Sequence, residues 1–521
     1  MSTSSLLLSQ QLLIGELLKQ ASHKTPNKES FVYEEERLTY KQMDDRATHL
    51  AGWLQSKGIK KNDKVGFILK NGLPFVEVFF GVSMSGGVGV PINFRLAANE
   101  LEYIINNSDS KILIIDNEFA EVINSIRNKI PKVEAIIIVN NSSAIDNCIT
   151  YSSIFGEASI YTPCEDLTDN DPGMIVYTSG TTGKPKGAVL THKNLCINRL
   201  LVIWETKTPL YAKQLIIPPL FHVAAMAGLI KNCLINGTAV IQRNFDPEDT
   251  LLTIEKEKIN SLMLVPAMWN SILQVSNLER YDLSSVIECS SGGAVCPLEL
   301  KKKIMSTFKN ASYNESLGQT EMSPAATSLN NLDVIRKTKS VGKPILGVEA
   351  RIVDENMNDV PVGEVGEIVY RGPSVMKEYY NNPEGTKEAF KGGWFHSGDI
   401  VRADEEGFIY IVDRKKDMLI SGGENIYPIE IEEVLHAHPS ILECAIVGVP
   451  DINWGESVKA FIVLRHGKEL SAEEVIEYCT EHLASYKKPK FVEFVDQLPR
   501  NASGKIMKQV LRECLMKTTK S

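Results

Sequence analysis

The sequence holds no apolar run of the roughly eighteen residues that a membrane-spanning helix requires. It has no CxxC pair either, because its nine cysteines, from Cys148 to Cys514, stand singly. An odd count without metal-ligand spacing argues for reduced thiols in a cytoplasmic setting. Basic residues are outnumbered, and a net charge of −9 offers no basic face on which a nucleic acid would settle. Internal repeats and low-complexity tracts are missing as well. The Leu-rich stretch around Leu6 to Leu18 is preceded by no Lys or Arg and is interrupted by Ser9, Gln10, Gln11 and Glu16. It reads as an amphipathic docking helix, not as a secretory leader.

What is present is enough chain for several cores. At 521 residues and 43% hydrophobic content, the usual domain sizes predict two to four units. From about Lys111 to Phe308, short β-rich runs (KILIID, QLIIPPL, TAVIQR, SLMLVP, VIECSS) alternate with helical stretches, one after Thr191 and one from Pro247 to Lys258. That alternation predicts parallel-rich sheets covered by helices, with ligands at the carboxyl ends of the strands. From Val348 to Asp413 the character changes to short strands between Gly and Asp turns, an antiparallel unit. A smaller α+β region follows, with AIVGV, AFIVL and a helix starting near Ser471. The expected fold class is α/β, with a large N-terminal domain over 1–415 and a small C-terminal domain over 416–521.

The strongest local signal is the string from Tyr177 to Gly187, YTSGTTGKPKG, directly after the apolar run MIVY. Gly180, Gly183 and Gly187 permit backbone conformations closed to other residues. Thr178, Ser179, Thr181 and Thr182 supply hydroxyls beside backbone N–H groups, while Lys184 and Lys186 add positive charge. Such a loop cradles phosphate oxygens. It is not a Walker A loop, since the GxxxxGK[ST] spacing is absent and Pro185 follows the first lysine.

This string closely resembles the signature of the adenylate-forming enzymes, which include acyl-CoA synthetases, aryl-CoA ligases, luciferases and peptide-synthetase adenylation domains. Further family motifs recur in the same order along nearly the whole chain. The resemblance implies that the loop grips the outer phosphates of ATP. Gly318-Gln-Thr-Glu321 resembles the family's aromatic-Gly-x-Thr-Glu motif, which implies Glu321 as the ligand of the Mg2+ that accompanies ATP, with Thr320 near the α-phosphate. Here Leu317 replaces the usual aromatic, so ring stacking on adenine is lost at that position. Ser291-Gly292-Gly293-Ala294 resembles the segment that lies along adenine.

Trp394-Phe-His-Ser-Gly-Asp399 implies Asp399 as acceptor for the ribose hydroxyls, and Asp413-Arg414 implies Arg414 at the same sugar. Leu498-Pro-Arg-Asn-Ala-Ser-Gly-Lys505 matches the terminal motif, whose lysine bridges the acid carboxylate and the α-phosphate during adenylation. The family's pivot falls on Lys416, about which the small domain swings between the two half-reactions. Ser421-Gly422-Gly423 resembles the wall of a pantetheine tunnel, and Trp454 a position near coenzyme A.

Pro218-Pro-Leu-Phe-His222 resembles the gate of the acyl pocket, with His222 beside the substrate carboxylate. The small apolar residues after it include no aspartate to hold an ammonium group, which argues against an amino-acid substrate. The expected activity is an ATP-dependent carboxylic acid:CoA ligase, working through an acyl-adenylate, on a medium- or long-chain fatty acid. Its expected partners are therefore a small carboxylic acid, ATP and CoA. Aryl acids of the succinylbenzoate or benzoate type are the first alternative. A stand-alone enzyme loading a carrier-protein thiol is the second, although the chain stops soon after Lys505 with no carrier domain following. A catalytically silent binding protein is the last, and the joint presence of Glu321, Asp399, Arg414 and Lys505 argues against it. A homodimer is left open.

Overall fold

In the computed structural model the described residues are 11–140, 148–178, 184–294, 296–415, 417–421, 424–451, 455–484, 487–500 and 506–512. They fall into two compact units, one built from 1–350 and 370–395 and the other from 351–369 and 396–521.

The first unit is a pair of parallel-rich sheets. One has seven strands in the order Ser312–Ser316, Glu288–Gly292, Ser261–Leu264, Lys213–Ile216, Thr238–Ile241, Glu29–Tyr33 and Glu36–Thr39, all parallel except the final hairpin. The other has eight, in the order Glu378–Tyr379, Lys186–Thr191, Pro172–Thr178, Val88–Pro91, Lys64–Ile68, Ser110–Asp116, Ala135–Val139 and Ile149–Thr150. Its parallel run begins at Lys64, earlier than the alternation read from Lys111 onward. Strands buried on both faces read as continuous apolar runs, and Lys64–Ile68 is one of only five residues that borders polar turns.

Helix starts follow local chemistry. Thr191 caps His192–Thr206 by accepting from the Asn194 N–H at 3.0 Å, and Asn194 Oδ1 accepts from the Thr191 N–H at 2.9 Å. Asp246 caps Pro247–Glu257 in the same sense, with proline at the first helical position. The helix Ile14–Lys24 overlaps only the end of the Leu-rich stretch around Leu6 to Leu18 and docks onto the unit, burying Ile14, Leu17 and Leu18; the stretch up to Gln10 lies outside the described residues. No helix among the described residues is long and apolar enough to cross a membrane.

The second unit contains the antiparallel strands Phe395–Ala403 and Ile409–Arg414, with Gly366–Arg371 on the other side of the first. Its α+β part has Ile441–Asp451 and Gly455–Leu464 as a long antiparallel pair, with Phe491–Phe494 added in parallel. The helices Pro428–His436 and Ala472–His482 cover this sheet over a core that includes Ile431, Leu435, Ile446, Ile462 and Cys479. Ser471 caps the second helix through a reciprocal pair of hydrogen bonds with Glu474. The fold is therefore α/β, with an antiparallel β unit and a small C-terminal α+β region, as the sequence predicts.

Candidate active site

The glycine- and hydroxyl-rich loop leaves the carboxyl end of Pro172–Thr178 and returns as Lys186–Thr191, with Thr178 opposite Lys186 in an antiparallel pair. Ser179, Gly180, Thr181, Thr182 and Gly183 lie outside the described residues. The stem of the loop is well anchored, because Tyr177 donates to Asn107 Oδ1 at 2.6 Å and Lys184 Nζ lies 5.4 Å from the Tyr103 ring centroid.

Glu288–Gly292 and Ser312–Ser316 run side by side and parallel, with Gly292 opposite Ser316. Gly292, Gly293 and Ala294 thus leave one carboxyl end as Leu317 and Gly318 leave the next, the place where open α/β sheets bind ligands. Gly318 is required sterically, since a Cβ there would come within 1.9 Å of the Pro324 carbonyl oxygen. That close approach lets the Gln319 N–H donate to the Pro324 oxygen at 2.9 Å and closes a tight turn around Thr320–Met322.

The turn buries Glu321. Its Oε1 accepts from the Tyr379 hydroxyl at 2.8 Å and lies 3.5 Å from Thr178 Oγ1. Its own carbonyl accepts from the Met376 N–H at 2.7 Å. Lys186 Nζ sits 5.2 Å from the Tyr379 ring centroid. Lys186 and Glu321, singled out in two separate stretches of sequence, therefore meet at one side chain that sequence reasoning missed, with Thr178 beside Glu321. Burial and the Glu321 charge push the Tyr379 phenol well above its ordinary range, so it stays a donor.

The donor set suits a hard cation. Glu321 is a buried carboxylate held by neutral hydroxyls, and no ion pair among the described residues cancels its charge. Among the described residues no cluster of three His, Cys, Asp or Glu ligands exists. A cation here would take one protein carboxylate and complete its sphere with phosphate oxygens and water, the manner of Mg2+ arriving with a nucleotide.

In the second unit, Asp399 and Arg414 face each other across an antiparallel pair, and Arg414 Nε contacts Asp399 Oδ1 at 2.6 Å. Asp399 is 3% exposed, so this buried carboxylate is charge-compensated. The start of its strand is fixed by Glu367, which sequence reasoning also missed. Glu367 accepts from the Gly398 N–H at 3.1 Å, meets His396 Nδ1 at 3.1 Å and pairs with Lys415 Nζ at 3.1 Å. Burial alone would raise the Glu367 carboxyl, but the contacts from His396 and Lys415 outweigh it and hold the group below its ordinary range. A charged residue inside an apolar strand, EIVYR, was the available signal.

Asp413, next to Arg414, accepts backbone N–H groups of Arg414 at 2.6 Å and Ile429 at 3.1 Å. Burial pushes its carboxyl up to about 6 against the pull of Lys508 and these two donors. Lys416, Gly422, Gly423, Trp454 and Lys505 lie outside the described residues. Flanking them, Lys508 pairs with Glu432 at 2.7 Å and Arg512 with Asp417 at 3.3 Å.

His222 precedes the helix Val223–Leu234, with its ring centroid 4.3 Å from that of Phe221. Along this helix Ala224 and Gly228, four residues apart, are only partly covered, whereas Val223, Ala225, Met226 and Ala227 are buried. The accessible face is small and uncharged up to Lys231.

The model of the AMP-binding enzyme family matches residues 18–380, and that of the AMP-binding enzyme C-terminal domain matches residues 430–505. The chain is 36% identical to feruloyl-CoA synthase of Amycolatopsis sp over 477 residues, 91% of this chain and 93% of that one. It is also 36% identical to the long-chain-fatty-acid–CoA ligase FadD13 of Mycobacterium tuberculosis over 507 residues, 96% and 98% of the two chains. The structure of o-succinylbenzoate CoA synthetase from Bacillus subtilis, in complex with ATP and magnesium ion, superposes with a TM-score of 0.84 at 29% identity. That match covers 96% of this chain and 99% of the other. The chain belongs to the AMP-binding, adenylate-forming enzyme family. Within it, the protein is an AMP-forming, ATP-dependent acid:CoA ligase.

Proposed function

We propose that the acid is a medium- or long-chain fatty acid, converted to its adenylate and then to its CoA thioester. The observation that carries this reading is the small, uncharged face of the helix after His222, where Ala224 and Gly228 are only partly covered and no carboxylate waits for an ammonium group. Similarity to a long-chain-fatty-acid ligase along 96% of the chain supports it. An aryl acid is the second reading, favoured by equal identity to a feruloyl-CoA synthase.

In this reading the loop from Thr178 to Lys186 holds the outer phosphates, with Ser179, Gly180, Thr181, Thr182 and Gly183 as its cradle. Gly292, Gly293, Ala294 and Leu317 line the adenine. Asp399 accepts from the ribose hydroxyls, and Arg414 both donates there and fixes the Asp399 carboxylate. Glu321 holds Mg2+, which supplies charge neutralisation at the phosphates when bound, and Thr320 lies near the α-phosphate. Lys505 places its ammonium between the acid carboxylate and the α-phosphorus, where two anions are forced together. His222 orients the acid carboxylate. Rotation about Lys416 then exchanges the face carrying Lys505 for the one bearing Gly422, Gly423 and Trp454, which admit the pantetheine thiol.

The test is pyrophosphate release from ATP and Mg2+ across fatty, aryl and amino acids, with and without CoA. Release confined to fatty acids and accelerated by CoA is the expected result. Release with ferulate- or succinylbenzoate-like acids alone would transfer the assignment to aryl acids. Indifference to CoA would point to a carrier-protein thiol.

A further inference from the structure

Tyr379 belongs to a two-residue strand, Glu378–Tyr379, that adds antiparallel to Lys186–Thr191 with Tyr379 opposite Ala188. The strand is stitched at both ends. The Lys377 N–H donates to the Val189 oxygen at 2.9 Å, the Tyr380 N–H to the Gly187 oxygen at 2.7 Å, and the Tyr379 N–H to Thr386 Oγ1 at 3.0 Å. Its side chain is therefore held by backbone that is continuous with the phosphate loop. The hydroxyl reaches Glu321 Oε1 at 2.8 Å, and the ring face lies under Lys186 Nζ at 5.2 Å from the centroid.

Two consequences follow from this arrangement. A neutral phenol aligns the carboxylate without cancelling its charge, which a lysine or arginine at the same place would do. Oε1 is engaged by the phenol, whereas Oε2 accepts no hydrogen bond among the described residues. One oxygen is fixed and the other is left for a cation. The ring, meanwhile, gives the Lys186 ammonium an aromatic face to rest on, worth most where water is excluded.

The geometry points to Tyr379 as a positioning residue that sets the Glu321 carboxylate for the cation and the Lys186 ammonium for the phosphates, so that cation and triphosphate are received together. This rests on the reading of Glu321 as the cation ligand.

Both are tested by Mn2+ binding to the full-length protein, followed by electron paramagnetic resonance with a saturating non-hydrolysable α,β-methylene analogue of ATP. Tyr379→Phe removes the hydroxyl and keeps the ring, and it should weaken Mn2+ binding about tenfold, the scale of one hydrogen bond to a charged group. Its binding of the analogue without metal should match wild type. Tyr379→Leu should weaken Mn2+ equally and also weaken analogue binding without metal, because the face under Lys186 is gone. Melting temperatures of both variants near the wild-type value would separate positioning from structural damage. Wild-type Mn2+ affinity in Tyr379→Phe, while Glu321→Gln loses it, would overturn the role of Tyr379 alone. Unchanged affinity in Glu321→Gln would overturn the reading of Glu321 itself.

Discussion

Glu321 in the first unit and Asp399 in the second are both buried carboxylates, yet they are held by opposite kinds of partner. Glu321 receives a phenol at 2.8 Å and has a threonine hydroxyl within 3.5 Å, both neutral. Asp399 is met by a guanidinium nitrogen at 2.6 Å. The first arrangement includes no cationic partner among the described residues, which suits completion by a bound cation. The second is already compensated by the guanidinium, so it adds no net charge and suits neutral donors such as sugar hydroxyls. On the proposed reading, the same side-chain chemistry is divided between cation binding and hydroxyl recognition by what stands beside it.

Substituting the uncompensated member should cost the most. Glu321→Gln keeps the shape and removes the charge, and adenylation should fall about 10²- to 10³-fold, the scale for losing an electrostatic contact to a transition state. Raising Mg2+ to several tens of times the wild-type requirement should not restore it. A variant within tenfold of wild type at ordinary Mg2+ would erase the distinction drawn between the two carboxylates.

Asp399→Asn should cost less and differently. With the carboxylate gone, Arg414 loses its partner and the sugar loses its acceptor. The ATP concentration for half-maximal rate should rise about 10- to 100-fold, the range for a charged hydrogen-bonding group left unpaired. The sharper readout is discrimination. Wild type should reject 2′,3′-dideoxy-ATP strongly, whereas Asp399→Asn should treat it and ATP nearly alike. A variant that still discriminates would place hydroxyl recognition elsewhere.

This contrast between partners was only half legible in the sequence. The strings around Thr178, Glu321 and Asp399 stood out because each packs glycine and hydroxyl residues into a few consecutive positions, and Arg414 through its pairing with Asp413 at a strand end. The large parallel strands stood out through their apolar runs, such as ILIID within Ser110–Asp116. Tyr379 did not, since a strand of two residues has no periodicity and its partner Glu321 lies 58 positions away. Glu367 was hidden likewise, 31 positions from the Gly398 amide that it holds. The strand Ser312–Ser316, SYNES, reads as a polar loop. In the fold it is buried at Tyr313, Asn314 and Glu315, and Glu315 is neutralised by fully buried Lys301 at 2.6 Å. Short-range patterns record the ligand-facing backbone, whereas the partners of each carboxylate come from chain topology.

A third carboxylate tests how far partners alone control a buried acid. Asp413 has two backbone N–H donors and the charge of Lys508 nearby, yet burial prevails and its carboxyl sits at about 6. An unfolded aspartate titrates at about 3.9. Between roughly pH 4 and 6 the folded protein therefore holds a proton that the unfolded chain has released, and stability contributed at this site falls as pH rises through that window and is level above it. Asp413→Asn removes the titration and keeps an acceptor for one of the two N–H groups, which donate to different oxygens of the carboxylate; losing the other is a cost that does not change with pH. Relative to wild type, the variant should gain about 1 to 2 kcal/mol between pH 4 and pH 7, less than the full linkage value because the group is not wholly buried. Denaturant midpoints of the two proteins at both pH values give the comparison, and subtraction cancels groups they share, including buried His192, whose pKa burial lowers to about 4. A difference that does not change with pH would mean that the N–H donors and Lys508 compensate Asp413 fully, placing it with Asp399 as a satisfied carboxylate.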